Sequence, residues 1–87
     1  MWNQLLRSAT SIGANIEEAQ ASHSRSDFAA KYSIACKEAR ETLYWLRLLT
    51  AAGLANPNTA QPLIQEANEL VAILTTIVRK VKQQPSN

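Results

Sequence analysis

An all-α fold, three antiparallel helices forming an up-and-down helical bundle, is predicted by three features of the sequence. Apolar residues recur at alternating steps of three and four over three long segments, the spacing of helices that each bury one stripe. Only two glycines and three prolines occur in 87 residues, so long stretches lack the punctuation that a turn-rich sheet requires. Hydrophobic residues make up 46% and charged residues 18%, a globular balance rather than a disordered one. The length predicts a single domain over 1–84, with helices at about 3–21, 26–52 and 59–83 and a frayed tail at 85–87.

In the first segment Leu5, Ala9, Ile12, Ile16 and Ala19 form the stripe. Gly13 interrupts it, and close approach of a neighbouring helix would explain a residue that weakens helices by up to about 1 kcal/mol relative to Ala. The polar string from Ser22 to Ser26 then marks a turn. Ser24 with Asp27 three residues on has the pattern of a capping box, and Ser26 is the competing cap.

The second helix presents Phe28, Tyr32, Ala35, Ala39, Leu43, Leu46 and Leu49 as its core stripe. Gly53 is placed to take the left-handed position after its end, with Leu54 as the apolar residue that follows in a Schellman closure. A short connection through Pro57 implies an antiparallel return. Asn58 or Thr59 is expected to cap the third helix, which places Pro62 in its first turn. Leu63, Ala67, Leu70, Leu74, Ile77 and Val81 form its stripe, widened by Ile64, Val71 and Val78.

A net charge of +2 permits contact with nucleic acid without requiring it. The lone Cys36 excludes an internal disulfide and suits a reducing compartment, and no apolar run follows a basic start, so a cytoplasmic protein without membrane contact is expected. Catalysis is not expected. His23 is the only histidine and sits in a polar turn, no Cys-x-x-Cys spacing or Gly-rich loop occurs, and adjacent Glu17 and Glu18 point apart on a helix. No catalytic residue, metal site, cofactor or small-molecule substrate is therefore assigned.

Two further faces of the second helix are candidates for binding. Lys37, Arg40, Tyr44 and Arg47 follow i, i+3, i+7, i+10 and share one stripe, and cations interleaved with an aromatic ring suit phosphate contact and base stacking. Against this, Glu41 lies four residues from Lys37 and is spaced to neutralise it. On the third side, Ile34, Trp45 and Leu48 lie well off the core stripe. A three-helix monomer is expected to leave Trp45 and Leu48 substantially exposed, which predicts a homo-oligomer interface there.

The run from Gln4 through Ala19, with Ser8-Ala9-Thr10-Ser11-Ile12-Gly13-Ala14-Asn15-Ile16-Glu17-Glu18 at its centre, resembles the motif helix of the four-helix-bundle proteins found in intervening sequences of bacterial 23S rRNA genes. The similarity continues at Ser26-Asp27-Phe28, at Ile34-Ala35 and at Lys37-Glu38-Ala39-Arg40-Glu41-Thr42-Leu43-Tyr44-Trp45-Leu46. It implies a further helix before the motif helix, whereas Met1 and Trp2 stand almost directly before it here. The three helices are thus expected to correspond to the last three of a four-helix bundle. The resemblance also implies a ring-shaped homo-oligomer, commonly a pentamer, and a role on nucleic acid.

Together these features predict a non-enzymatic protein that self-associates and binds RNA or DNA, with rRNA first, through its basic face. The alternative is a structural adaptor that docks a protein partner without nucleic acid. Only the first needs the Lys37, Arg40, Tyr44, Arg47 stripe.

Overall fold

The structure, a computed structural model, describes residues 1–83 and contains three helices: α1 (Trp2–Gln20), α2 (Arg25–Ala51) and α3 (Pro57–Gln83). The expected tail over 85–87 lies outside the described residues. Each helix boundary follows from local chemistry. Ser24 takes an extended backbone at the start of α2, and its hydroxyl accepts the Asp27 amide hydrogen at 3.0 Å, so Ser24 and not Ser26 is the cap. The chain leaves α2 through Gly53 at φ 75, with the Leu54 amide donating to the Leu49 carbonyl at 2.9 Å and the Gly53 amide to that of Thr50 at 3.1 Å. These are the two bonds of a Schellman closure. Gly53→Ala, which forces a Cβ into the left-handed region, is expected to cost about 1 kcal/mol in urea unfolding.

Helix α3 begins two residues earlier than expected. Asn56 is its cap: its side-chain oxygen accepts the Asn58 amide hydrogen at 2.9 Å and its carbonyl accepts that of Ala60 at 2.9 Å. Pro57 therefore fills the first helical position, where a missing N–H costs nothing. Pro62 falls inside the helix, past the first turn. The expected cap at Asn58 or Thr59 fails because a residue before a helix-starting proline already has the extended backbone that a cap needs.

Helix α2 lies between the other two. The backbones of α1 and α3 each pack on α2 and do not approach one another, and the Cα atoms fill a slab 51 × 20 × 14 Å. One core cluster joins Ile12 and Ala19 of α1, Tyr32, Ala35 and Ala39 of α2 and Leu74 of α3. A second gathers Leu43, Leu46 and Ala67, with Leu5 and Ile64 packed against it. The expected stripe of α2 is buried from Tyr32 to Leu49, with Phe28 half-buried at one end; the Phe28 and Tyr32 rings meet at a tilt of 43° with centroids 4.6 Å apart. Among the outer positions Ala9 and Leu63 are exposed. Gly13 is also exposed, and a Cβ built there meets nothing within 4 Å, so no helix approaches it.

The α1–α2 contact is polar as well as apolar. Ser8 is fully buried, its hydroxyl 3.1 Å from the Leu5 carbonyl, to which it donates, and 3.0 Å from the hydroxyl of buried Thr42. One turn away, the Arg7 guanidinium reaches Glu38 Oε2 at 3.3 Å and Glu41 Oε1 at 2.5 Å. At the other end Lys31 pairs with Glu18 at 2.8 Å. Much of the sequence run that carries the family resemblance is thus the material that joins α1 to α2. No helix among the described residues is long and apolar enough to cross a membrane.

Candidate nucleic-acid interface

The seam where α3 packs on α2 brings basic residues together from both helices. Lys37, Arg40, Tyr44 and Arg47 are exposed along the α2 side, as the i, i+3, i+7, i+10 spacing predicts. Arg40 donates to Thr75 Oγ1 at 3.4 Å and Arg47 to Asn68 Oδ1 at 3.5 Å, so α3 lies directly against this stripe. Between the helices a hollow of about 290 Å³ is lined by Ser33, Lys37, Arg40, Thr75 and Arg79. A second hollow, toward the end of α2, lies among Arg40, Tyr44 and Arg47. A third, toward the start of α2, is lined by Arg25 and Lys82. No carboxylate lines any of the three.

The two flanks of α2 therefore differ in net charge. On the α1 flank, Arg7 and Lys31 are neutralised by Glu38, Glu41 and Glu18. The hydrogen bond to Glu41, with the charges of Glu38 and Glu41 added, raises the Arg7 pKa above its ordinary value; the hydrogen bond to Glu18 does the same for Lys31. On the α3 flank, Arg40 and Arg47 have neutral partners, and neither Lys37 nor Arg79 has an ion-pair partner among the described residues. Glu41, which the spacing sets against Lys37, turns instead to Arg7. Lys37, Arg40, Arg47 and Arg79 are thus not neutralised by a carboxylate among the described residues.

Arg79 and Thr75 belong to the same hollow as Lys37 and Arg40, yet lie some 40 positions further along the chain. Their only trace in the sequence is that they fall four apart on one flank of the α3 stripe. Cys36 is buried at 7% exposure with its sulfur 3.3 Å from Thr75 Oγ1. Helix α3 covers that flank of α2.

The proposed oligomer face is less open than its spacing predicts. Ile34 is 41% exposed, but Trp45 and Leu48 are half-buried. The Trp45 ring meets Tyr44 edge-on with centroids 5.1 Å apart, and its indole N–H is enclosed without a hydrogen-bond partner among the described residues. His23 is exposed and Cys36 is buried. Among the described residues no group of three His, Cys, Asp or Glu side chains is placed to hold a metal ion.

Fold and charge layout define a class: a small up-and-down helical bundle whose central helix separates an ion-paired flank from a cation-rich one. The chain belongs to the 23S rRNA-intervening sequence protein family, whose model matches residues 1–76. It is also similar to a protein of unknown function from the S23 ribosomal protein family of Bacteroides thetaiotaomicron VPI-5482, solved at 1.70 Å resolution. The two are 43% identical with a TM-score of 0.83 over 87% of this chain and 70% of that chain. No curated protein matches the chain.

Proposed function

We propose that this chain is a non-enzymatic nucleic-acid-binding protein that seats a single strand along the α2–α3 seam. The observation that carries this reading is charge segregation: the hollow between α2 and α3 gathers Lys37, Arg40 and Arg79 without a carboxylate, while Arg7 and Lys31 are ion-paired on the opposite flank of α2. Lys37 to Arg47 spans ten residues, about 15 Å of helix, a length that covers a few nucleotides of one strand. Tyr44 is 57% exposed beside Arg40 and Arg47, where its ring offers a stacking surface that a paired base cannot use. Family membership makes rRNA the first ligand to test. Self-association, expected at Ile34, Trp45 and Leu48, would present several seams to one strand and multiply weak contacts.

Fluorescence anisotropy with a mixed-sequence single-stranded RNA tests the reading. Affinity is expected to fall with salt at a logarithmic slope of about −0.7 per phosphate contacted, or about −2 for three contacts. Arg40→Gln with Arg47→Gln keeps helix propensity while removing two charges. This double variant is expected to bind at least about tenfold more weakly and to flatten the slope by about 1.4. No binding at low salt, or a double variant that binds like the parent, would reject the seam and leave the protein-adaptor reading.

A further inference from the structure

We infer that the hollow between α2 and α3 seats a terminal phosphate: the phosphomonoester at one end of an RNA strand, with the adjoining base laid on Tyr44. The inference deepens the functional reading above and rests on it, naming the group that the seam takes at one point. Lys37 and Arg40 of α2 and Arg79 of α3 border a space of about 290 Å³ without a carboxylate. That volume lies just below the usual range of ligand pockets, about 300–1,000 Å³, so it suits one phosphate with its sugar and not a length of strand.

Beside the cations the hollow carries hydroxyls whose bonding departs from that of their neighbours. Thr10, Thr42, Thr50 and Thr76 each donate to the carbonyl four residues back. Thr75 does not: its Oγ1 faces α2, 3.3 Å from the Cys36 sulfur and 3.4 Å from the Arg40 nitrogen that donates to it. Arg40 commits one N–H to that bond and keeps the rest of its fork for a ligand. Half-buried Ser33, in the same hollow, has no hydrogen-bond partner among the described residues. An open hydroxyl among unpaired cations suits an anion with several acceptor oxygens.

Charge and connectivity select a strand end. A bridging phosphodiester carries a single negative charge. A terminal monoester carries about −1.5 to −2 at pH 7 and adds a further acceptor oxygen. Lys37, Arg40 and Arg79 without an acid match the monoester better. A bridging phosphate also needs the strand to continue on both sides, and the two sides of this hollow differ. Toward the end of α2, Arg40 is shared with the hollow that holds Arg47 and exposed Tyr44, one helical turn on, where a base can stack. Toward the start of α2, Ser33 is shared with a hollow lined by Ala29, Ala30 and Val81 along with Arg25 and Lys82, which offers no ring. A strand therefore runs off along Tyr44 and ends among Lys37, Arg40 and Arg79.

Competition against an internally labelled single-stranded RNA, read by anisotropy at low salt, tests the inference. The unlabelled competitors are short RNAs of one mixed sequence with hydroxyls at both ends, a 5′-phosphate or a 3′-phosphate. A phosphorylated form is expected to compete at least about tenfold better than the dihydroxyl form, and the better of the two identifies the end that the hollow takes. A dihydroxyl strand one nucleotide longer adds a diester charge instead and should gain less than about twofold. Arg79→Gln, at an exposed position, should reduce the preference for the phosphorylated end to less than about twofold while dihydroxyl binding stays within about threefold of the parent. Ser33→Ala should reduce the preference about threefold and leave urea unfolding unchanged. Equal competition by all strands, a longer dihydroxyl strand that gains as much as a terminal phosphate, or a preference untouched by Arg79→Gln would each overturn the inference while leaving the seam in place. No RNA bound at low salt would reject the seam and the phosphate seat together.

Discussion

Leu74→Ala is expected to remove most of the folding stability of this chain. Leu74 is 1% exposed and stands in the cluster that joins α3 to Ile12 and Ala19 of α1 and to Tyr32, Ala35 and Ala39 of α2. Truncating a fully buried leucine costs about 2–5 kcal/mol, from lost transfer free energy and from the cavity left behind. A domain of this length has about 4–13 kcal/mol in total at about 0.05–0.15 kcal/mol per residue, with the small size favouring the lower part of that range. The melting midpoint should drop by roughly 10–30 °C. Leu63→Ala is the matched control. At 47% exposure its truncation removes little buried surface and should cost less than about 1 kcal/mol. A Leu74→Ala protein that unfolds in urea within about 1 kcal/mol of the parent would show that the core has been misplaced.

Ser8→Leu is expected to detach α1 while α2 and α3 stay paired. Ser8 has no exposed surface, and its hydroxyl lies 3.0 Å from that of Thr42. A leucine there must displace α2 or leave its rotamer well, at a cost of about 1–3 kcal/mol. The Thr42 hydroxyl keeps one acceptor, the Glu38 carbonyl at 2.9 Å. Helix α1 is the vulnerable element because its backbone packs on α2 alone, whereas α2 also packs against α3. Native-state hydrogen exchange is the measurement: α1 amides should lose protection well before those of α2 and α3. Ser8→Ala, which removes one hydrogen-bonding group without adding volume, should cost about 1 kcal/mol and leave α1 docked. Uniform loss of protection in Ser8→Leu would mean that the three helices unfold as one unit.

The difference between these two sites reflects how each was visible in the sequence. Leu74 stood on the 3.6-residue stripe of α3, and apolar spacing places such a residue inward in almost any bundle. Ser8 sits in the corresponding stripe of α1, four positions before Ile12, but a hydroxyl carries no apolar signal. Its burial depends on a second hydroxyl, Thr42, arriving from α2. Glu38, buried at 8% exposure, was hidden for the same reason, because a carboxylate there is tolerable only once Arg7 faces it from α1.

The basic seam divides along the same line. Local spacing along one helix determined that Lys37, Arg40, Tyr44 and Arg47 share a face, since i, i+3, i+7 and i+10 coincide on any α-helix. Likewise Gly53 determined where α2 ends, because a left-handed backbone position suits glycine above all other residues. Tertiary packing decided the rest. It turned Glu41 away from Lys37 toward Arg7, brought Thr75 and Arg79 across from α3, and held α1 and α3 apart so that a groove remains open over α2. Helical periodicity is a property of neighbours in the chain and can be read from order alone. Which cation an acid neutralises depends on distances between helices, and those exist only once the helices have packed.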